Sequence, residues 1–165
     1  EKQGGRLQTS TTYMGGGGRQ HEIKLPKGKT AKGRTTAESE LLRLARMVVF
    51  AAGIGNLDLH TKNLGLLHPA EGDVTIAPAY DVVPQAHLPN DGRMALAVNG
   101  TYRHGDITGE DLAAEFASWG LRRAPAPVDA TLEELRAAVL SEIPLDGAFP
   151  ALQEQILGFI DQLAA

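Results

Sequence analysis

The sequence predicts a mainly α fold with a small β-hairpin, an α+β arrangement, and three patterns carry that prediction. Apolar residues recur at three-four spacing in several separate stretches, as the buried face of a helix requires. Two short β-prone runs flank a turn segment near the middle of the chain, and Gly or Pro closes most of the periodic stretches. Apolar residues make up 42% and charged residues 22% of 165, the balance of a soluble globular chain long enough to bury a core.

Taken in order, GGRLQTSTTYMGGGGRQ (4–20) is rich in Gly, Thr and Gln and reads as flexible. HEIKL (21–25) alternates and could form a short edge strand, and PKGKTAKGRT (26–35) reads as loop. From Thr36, a candidate cap, Leu41, Leu44, Ala45, Val48, Val49 and Ala52 mark a helix over about 38–52, ended by Gly53 and Gly55. Its apolar second half implies burial on most sides. LGLLH (64–68) and VTIAP (74–78) read as a hairpin, AYDVVPQAHLPNDG (79–92) as loop, and RMALAVNG (93–100) as strand or short helix. Thr108 and Asp111 stand in capping-box order before Leu112, Phe116 and Trp119, with Gly120 closing that helix and Phe116 and Trp119 expected in the core. PAPVD reads as a linker. Thr131 with Glu134 is expected to cap a helix over 131–142 that Pro144 stops, and Leu152, Ile156, Phe159, Ile160 and Leu163 share one face of a last helix over 151–164.

Charge is unevenly placed. Residues 1–35 carry eight Lys/Arg and two acids, whereas residues 36–165 carry eight Lys/Arg and eighteen acids. The division predicts a basic Gly/Thr-rich arm, or the remnant of a preceding lobe, over 1–35 and a helical body over 36–165. Such an arm can meet nucleic acid or an acidic partner, or simply stay solvated. No cysteine is present, so thiolate metal sites and disulfides are excluded, in keeping with a cytoplasmic chain. The run Met47 to Ile54 is far too short to span a membrane, and the first residues lack a signal-peptide core. A start at Glu1 is expected of a fragment or a processed chain.

Chemistry concentrates in GNLDLHTKN (55–63), directly after the apolar helix. Asp58 and Asn63 form D-x-x-x-x-N, the spacing found in the catalytic loop of protein kinases. Phosphoryl transfer to a hydroxyl needs an acceptor for its proton, and a neutral oxygen that shares Mg²⁺ with a second carboxylate. Asp81, in APAYD beyond the hairpin, stands where that carboxylate is needed. The bland alternative is a helix-terminating turn in which Asp58 and Asn63 cap backbone groups. His21, His68, His87 and His104 lack metal-ligand spacing and read as surface residues, and Asp106, Glu110 and Asp111 as complements to a helix start.

GNLDLHTKNLGLL followed by APAYDVVP resembles the C-terminal region of the HipA family, bacterial serine/threonine kinase toxins of toxin–antitoxin systems. Gly55, Asn56, Asp58, His60, Lys62 and Asn63 match its pattern, as do Pro78, Tyr80 and Asp81; the match is specific over 40–85 and extends plausibly to the C-terminus. The resemblance implies the helical C-lobe of a protein-kinase-like fold. It makes Asp58 the catalytic base or hydroxyl-orienting group, and Asn63 and Asp81 the Mg²⁺ ligands. It places His60 and Lys62 along the ATP phosphates, with Tyr80 positioning Asp81. A cation at Lys62 would also offset charge on the transferring phosphoryl. ATP and Mg²⁺ as cofactors, an antitoxin partner and a translation-related protein substrate are implied in the same way, with nucleic acid met only indirectly or through the basic arm.

One departure stands out. Neither GGGGRQ (15–20) nor GKTAKGRT (28–35) has phosphate-loop spacing, and Ile23 stands where the first P-loop Gly would fall. The nucleotide-gripping lobe is therefore expected to be truncated or absent, and the isolated chain weakly active or inactive. Two other readings remain: an aminoglycoside-type small-molecule phosphotransferase lobe, whose loop D-L-H-x-x-N is similar, and a non-catalytic remnant that binds a partner.

Overall fold

The computed structural model describes residues 37–165, apart from positions 69, 71 and 72. The basic arm, the HEIKL strand and the Thr36 cap lie outside the described residues. Among the described residues are four α-helices, α1 (Ala37–Ile54), α2 (Gly109–Ser118), α3 (Pro125–Ser141) and α4 (Leu152–Ala164), with two antiparallel strand pairs between α1 and α2. These are β1 (Leu66–Leu67) with β2 (Thr75–Ile76), and β3 (Arg93–Val98) with β4 (Thr101–Arg103). The fold is the mainly α arrangement with small β elements that the patterns predict.

Helix α1 presents Ala45, Val49 and Ala52 inward, where they join Leu132 and Leu135 of α3 and Ile156 and Ile160 of α4 in one apolar core, and Leu44 is buried as well. Its small residues set how closely the neighbours approach. A Cβ at Gly53 would lie 2.6 Å from Leu135 Cδ2. Gly53, expected to end the helix, instead sits inside it as the point where α3 comes in. The stop is Gly55, at φ +70°. Gly55 N–H donates to Ala52 O at 3.1 Å and Asn56 N–H to Ala51 O at 2.8 Å, the paired bonds of a Schellman C-cap. Burial is less complete than the apolar run implies, since Phe50 stays partly exposed.

Helix α2 carries the expected capping box, with Asp111 N–H donating to Thr108 Oγ1 at 3.1 Å and Thr108 N–H to Asp111 Oδ2 at 3.0 Å. Phe116 is fully buried and its ring lies 4.9 Å from that of Trp119.

The start of α3 departs from expectation. PAPVD is its first turn and a half rather than a linker, and Thr131 is a buried residue of the helix interior, not a cap. The reason is physical: Pro125 and Pro127 occupy first-turn positions, where the missing N–H would have no intrahelical partner and the fixed φ suits the helix. The far end follows expectation, with an extended Glu142 ahead of Pro144. Surface ion pairs Arg46–Glu134 and Arg136–Asp161 link α1 to α3 and α3 to α4.

RMALAVNG is a strand and turn, paired with a β4 that the patterns did not indicate. Asn99 (φ +48°) and Gly100 (φ +82°) form its two-residue turn, with Val98 opposite Thr101. Both central residues at positive φ define the turn type that suits strand twist. His104, expected on the surface, is buried instead. Its Nε2 lies 2.7 Å from Ala52 O and its ring meets Phe159 edge-on at 4.6 Å. His87 is half-buried and stacks on Phe149, while His68 is exposed. Among the described residues, no helix is long and apolar enough to cross a membrane.

Candidate functional site

The site begins where α1 stops. Gly55 has three duties there. Its positive φ turns the chain, and its missing Cβ makes room for Phe159 and Ala86, which a Cβ would approach to 2.7 and 2.8 Å. Its carbonyl accepts from both Gln85 N–H (2.9 Å) and Ala86 N–H (3.0 Å), fastening the segment after Asp81 to the end of the helix. Asn56, buried, then accepts from Asp58 N–H through Oδ1 at 3.1 Å, an Asx turn that fixes the Asp58 backbone. Leu57 and Leu59 are buried on either side, so Asp58 alone faces solvent. Leu57 O accepts from Ala95 N–H at 2.8 Å, which ties β3 to the same loop.

His60 Nε2 lies 3.9 Å from Asp58 Oδ1, a separation too long for a hydrogen bond. His60 also opens a short 3₁₀ turn, Thr61–Asn63, closed by Asn63 N–H donating to His60 O at 2.9 Å. The turn sends Asn63 inward and leaves Lys62 exposed.

The hairpin brings the chain back. Leu66 pairs with Ile76 and Leu67 with Thr75, and Ala77 N–H donates to Gly65 O at 2.9 Å. The buried Glu40 of α1 accepts from Ile76 N–H through Oε2, so the hairpin hangs from the helix that precedes the loop. Two latches then join the hairpin's exit to the 3₁₀ turn. Tyr80 OH donates to Lys62 O at 2.7 Å, and Asn63 Nδ2 donates to Asp81 Oδ2 at 2.7 Å. Asp81 holds φ +55°, a left-handed conformation uncommon for a residue with a Cβ and concentrated at functional positions.

Of the six residues singled out from the sequence, the structure brings Lys62, Asn63, Tyr80 and Asp81 into direct contact and sets His60 beside Asp58. Asn63 Oδ1 is buried with no hydrogen-bond partner, an orphaned oxygen next to the Asp81 carboxylate. An amide oxygen and a carboxylate are the donors a hard divalent cation takes, and Mg²⁺ completes its shell with water and phosphate oxygens. The donor set therefore fits. Among the described residues no group of three or more His, Cys, Asp or Glu is placed to hold a metal ion.

An open cleft of about 380 Å³ lies on the other flank of Asp58, lined by Leu57, Asp58, Gln85, Asn90, Arg93 and Ala95 among others. Sequence reading passed over Arg93, Glu40 and the positioning role of Asn56. For Asn56 a signal existed, since Asn two residues before a functional Asp is the spacing of an Asx turn.

Comparison with known proteins bears on family and fold. The family model described as the HipA-like C-terminal domain matches residues 17–143, beginning inside the segment read as an arm. A curated protein of Sinorhizobium fredii named "Putative kinase Y4dM" is 28% identical over 82 residues, covering 49% of this chain and 20% of that protein. A solved structure from Shewanella oneidensis, a toxin–antitoxin complex of HipA, HipB and operator DNA, matches with a TM-score of 0.62 and 21% identity over 74% of this chain. The chain spans only 31% of that structure's matched chain, and the likeness is one of fold.

Proposed function

This chain belongs to the HipA-like C-terminal domain family, and from that premise we propose that it is the catalytic lobe of a kinase that moves the γ-phosphoryl group of ATP to a Ser or Thr hydroxyl of a protein. The observation that carries the reading is the Asn63–Asp81 hydrogen bond, made between a loop that also presents Asp58 and a segment eighteen residues on. Asp58, exposed on a backbone that Asn56 and Leu57 hold fixed, accepts the hydroxyl proton and orients the attacking oxygen. That oxygen forms its bond to phosphorus as the bond to the ADP oxygen breaks. Asn63 and Asp81 would hold Mg²⁺, which when bound neutralises phosphate charge. Lys62 and His60 lie along the phosphates, and Tyr80 fixes the turn that aims Asp81.

The antitoxin partner rests on the Shewanella relative, which is seen with HipB and operator DNA. For this chain a protein antitoxin is proposed, with DNA met through it. The test uses the full natural polypeptide that carries these residues. Incubated with Mg·ATP and a Ser/Thr protein substrate, it is expected to transfer labelled phosphate, and Asp58→Asn and Asp81→Asn are each expected to abolish transfer. Undiminished labelling by either variant would remove these roles.

A further inference from the structure

The cleft beside Asp58 carries a second charged group. Among the described residues, Asp58 and Arg93 are the charged ones on its walls, and they form no ion pair with each other. The Asn90 amide is used within its own loop, donating to Gln85 O and Leu88 O, while its Oδ1 accepts from Gly92 N–H at 2.7 Å. Arg93 is differently placed. Its guanidinium carbon sits 4.8 Å above the Tyr102 ring centroid, which holds a planar fork of donors in place without using them. Directly across the ladder stands Arg103. Like charges opposite one another on paired strands repel. Among the described residues neither arginine has an acidic partner. The adjacent acid, Asp91, turns its Oδ1 to the Arg93 backbone N–H at 3.1 Å. Neither exposed guanidinium is therefore neutralised by a direct ion pair in this corner.

Resting on the phosphotransfer reading, we propose that Arg93, braced by Tyr102 and backed by Arg103, binds an acidic side chain of the substrate protein next to the acceptor hydroxyl. The protein would then select Ser or Thr in acidic sequence. The distance is set by β3. Ala95 N–H is bonded to Leu57 O, one residue before Asp58, and Arg93 lies two residues away on the same face of the strand. Two strand residues span about 7 Å, so the acid belongs within roughly two or three residues of the hydroxyl.

The full natural polypeptide is titrated with fluorescein-labelled peptides containing one Ser and, about two positions away, either Glu or Gln. Anisotropy gives Kd, and label transfer from Mg·ATP gives kcat/KM. Wild type is expected to bind the Glu peptide about fivefold more tightly than the Gln peptide. Arg93→Gln is expected to bring the two within about twofold, and Arg93→Lys, which keeps the charge, to preserve part of the gap. Equal binding of both peptides by wild type overturns the proposal, as does a gap that Arg93→Gln leaves intact. Arg93-dependent binding of a DNA duplex, with no preference between the peptides, assigns the arginines to nucleic acid and overturns it too. Glu-selective binding without phosphate transfer to any substrate upholds the anion reader and defeats the kinase reading. Transfer without selectivity does the reverse.

Discussion

Asn63 and Asp81, eighteen residues apart, are joined side chain to side chain by a 2.7 Å hydrogen bond, and Tyr80 is latched to Lys62 by another of the same length. Adjacent residues on one segment thus hold adjacent residues on the other. The pairing fixes the direction of Asp81, whose left-handed backbone would otherwise relax.

Removing the amide tests that pairing. Asn63→Leu keeps the branched outline but loses the hydrogen bond and adds volume at a buried position, so the fold should lose about 1–3 kcal/mol. Phosphate transfer by the full polypeptide should fall at least about a hundredfold, in the range of losing a charge-stabilising group. In wild type, Mg²⁺ with ATP should raise the melting temperature; in Asn63→Leu that rise should vanish. An unaltered Mg²⁺-dependent shift in the variant would show that Asn63 holds no metal.

Gly55→Ala should be severe for two separable reasons. The new Cβ meets Phe159 and Ala86 below 3.0 Å, and φ +70° is strained for any residue with a side chain. Together these should cost about 2–4 kcal/mol, read as a lower urea midpoint. Adding Phe159→Leu relieves one clash and should recover part of the loss. Full recovery would mean that the backbone conformation contributes nothing.

Glu40 makes a more local prediction. Its buried carboxylate accepts from Ile76 N–H, with Arg43 at 3.5 Å on its other oxygen. Glu40→Ala leaves that amide without its acceptor, a loss of about 1–3 kcal/mol. Hydrogen exchange at Ile76 should accelerate while amides in the middle of α3 keep their protection. A uniform acceleration across the chain would place Glu40 in global stability rather than in hanging the hairpin.

How much of this was legible in the sequence follows from the range of each signal. Three-four periodicity found Leu44, Ala45, Val49 and Ala52 on α1, because a helix face is written within one short window. The hairpin 66–76 was legible from its two short β-prone runs. The strand pair β3–β4 was missed although Asn99-Gly100 is the strongest short hairpin signal, because TYR offers too few residues to alternate. Pro125 and Pro127 were misread since proline marks a first helical turn as readily as a linker. Glu40, His104 and Arg93 were beyond sequence reasoning for another reason. What each does depends on a partner 36, 52 or 10 positions away, at Ile76, Ala52 or Arg103.

Asp111 accepts from the Asn99 amide through Oδ1 at 3.0 Å, and from Thr108 N–H and Oγ1–H through Oδ2 at 3.0 and 2.9 Å. These bonds, the Asn99 one foremost, hold its carboxyl below the ordinary aspartate value of 3.8, against slight burial that pushes the other way. A carboxyl depressed by folding favours the folded state when it is ionised. Its contribution is therefore complete above about pH 4 and disappears as pH falls through the lower folded value. Asp111→Ala should cost about 1 kcal/mol at pH 7, where the capping box and the tie to the β3–β4 turn are both lost. Melting curves of wild type and Asp111→Ala should converge as pH drops below about 4. If the gap between them stays constant to pH 3, the ionised carboxylate is not what binds the Asn99 turn to α2.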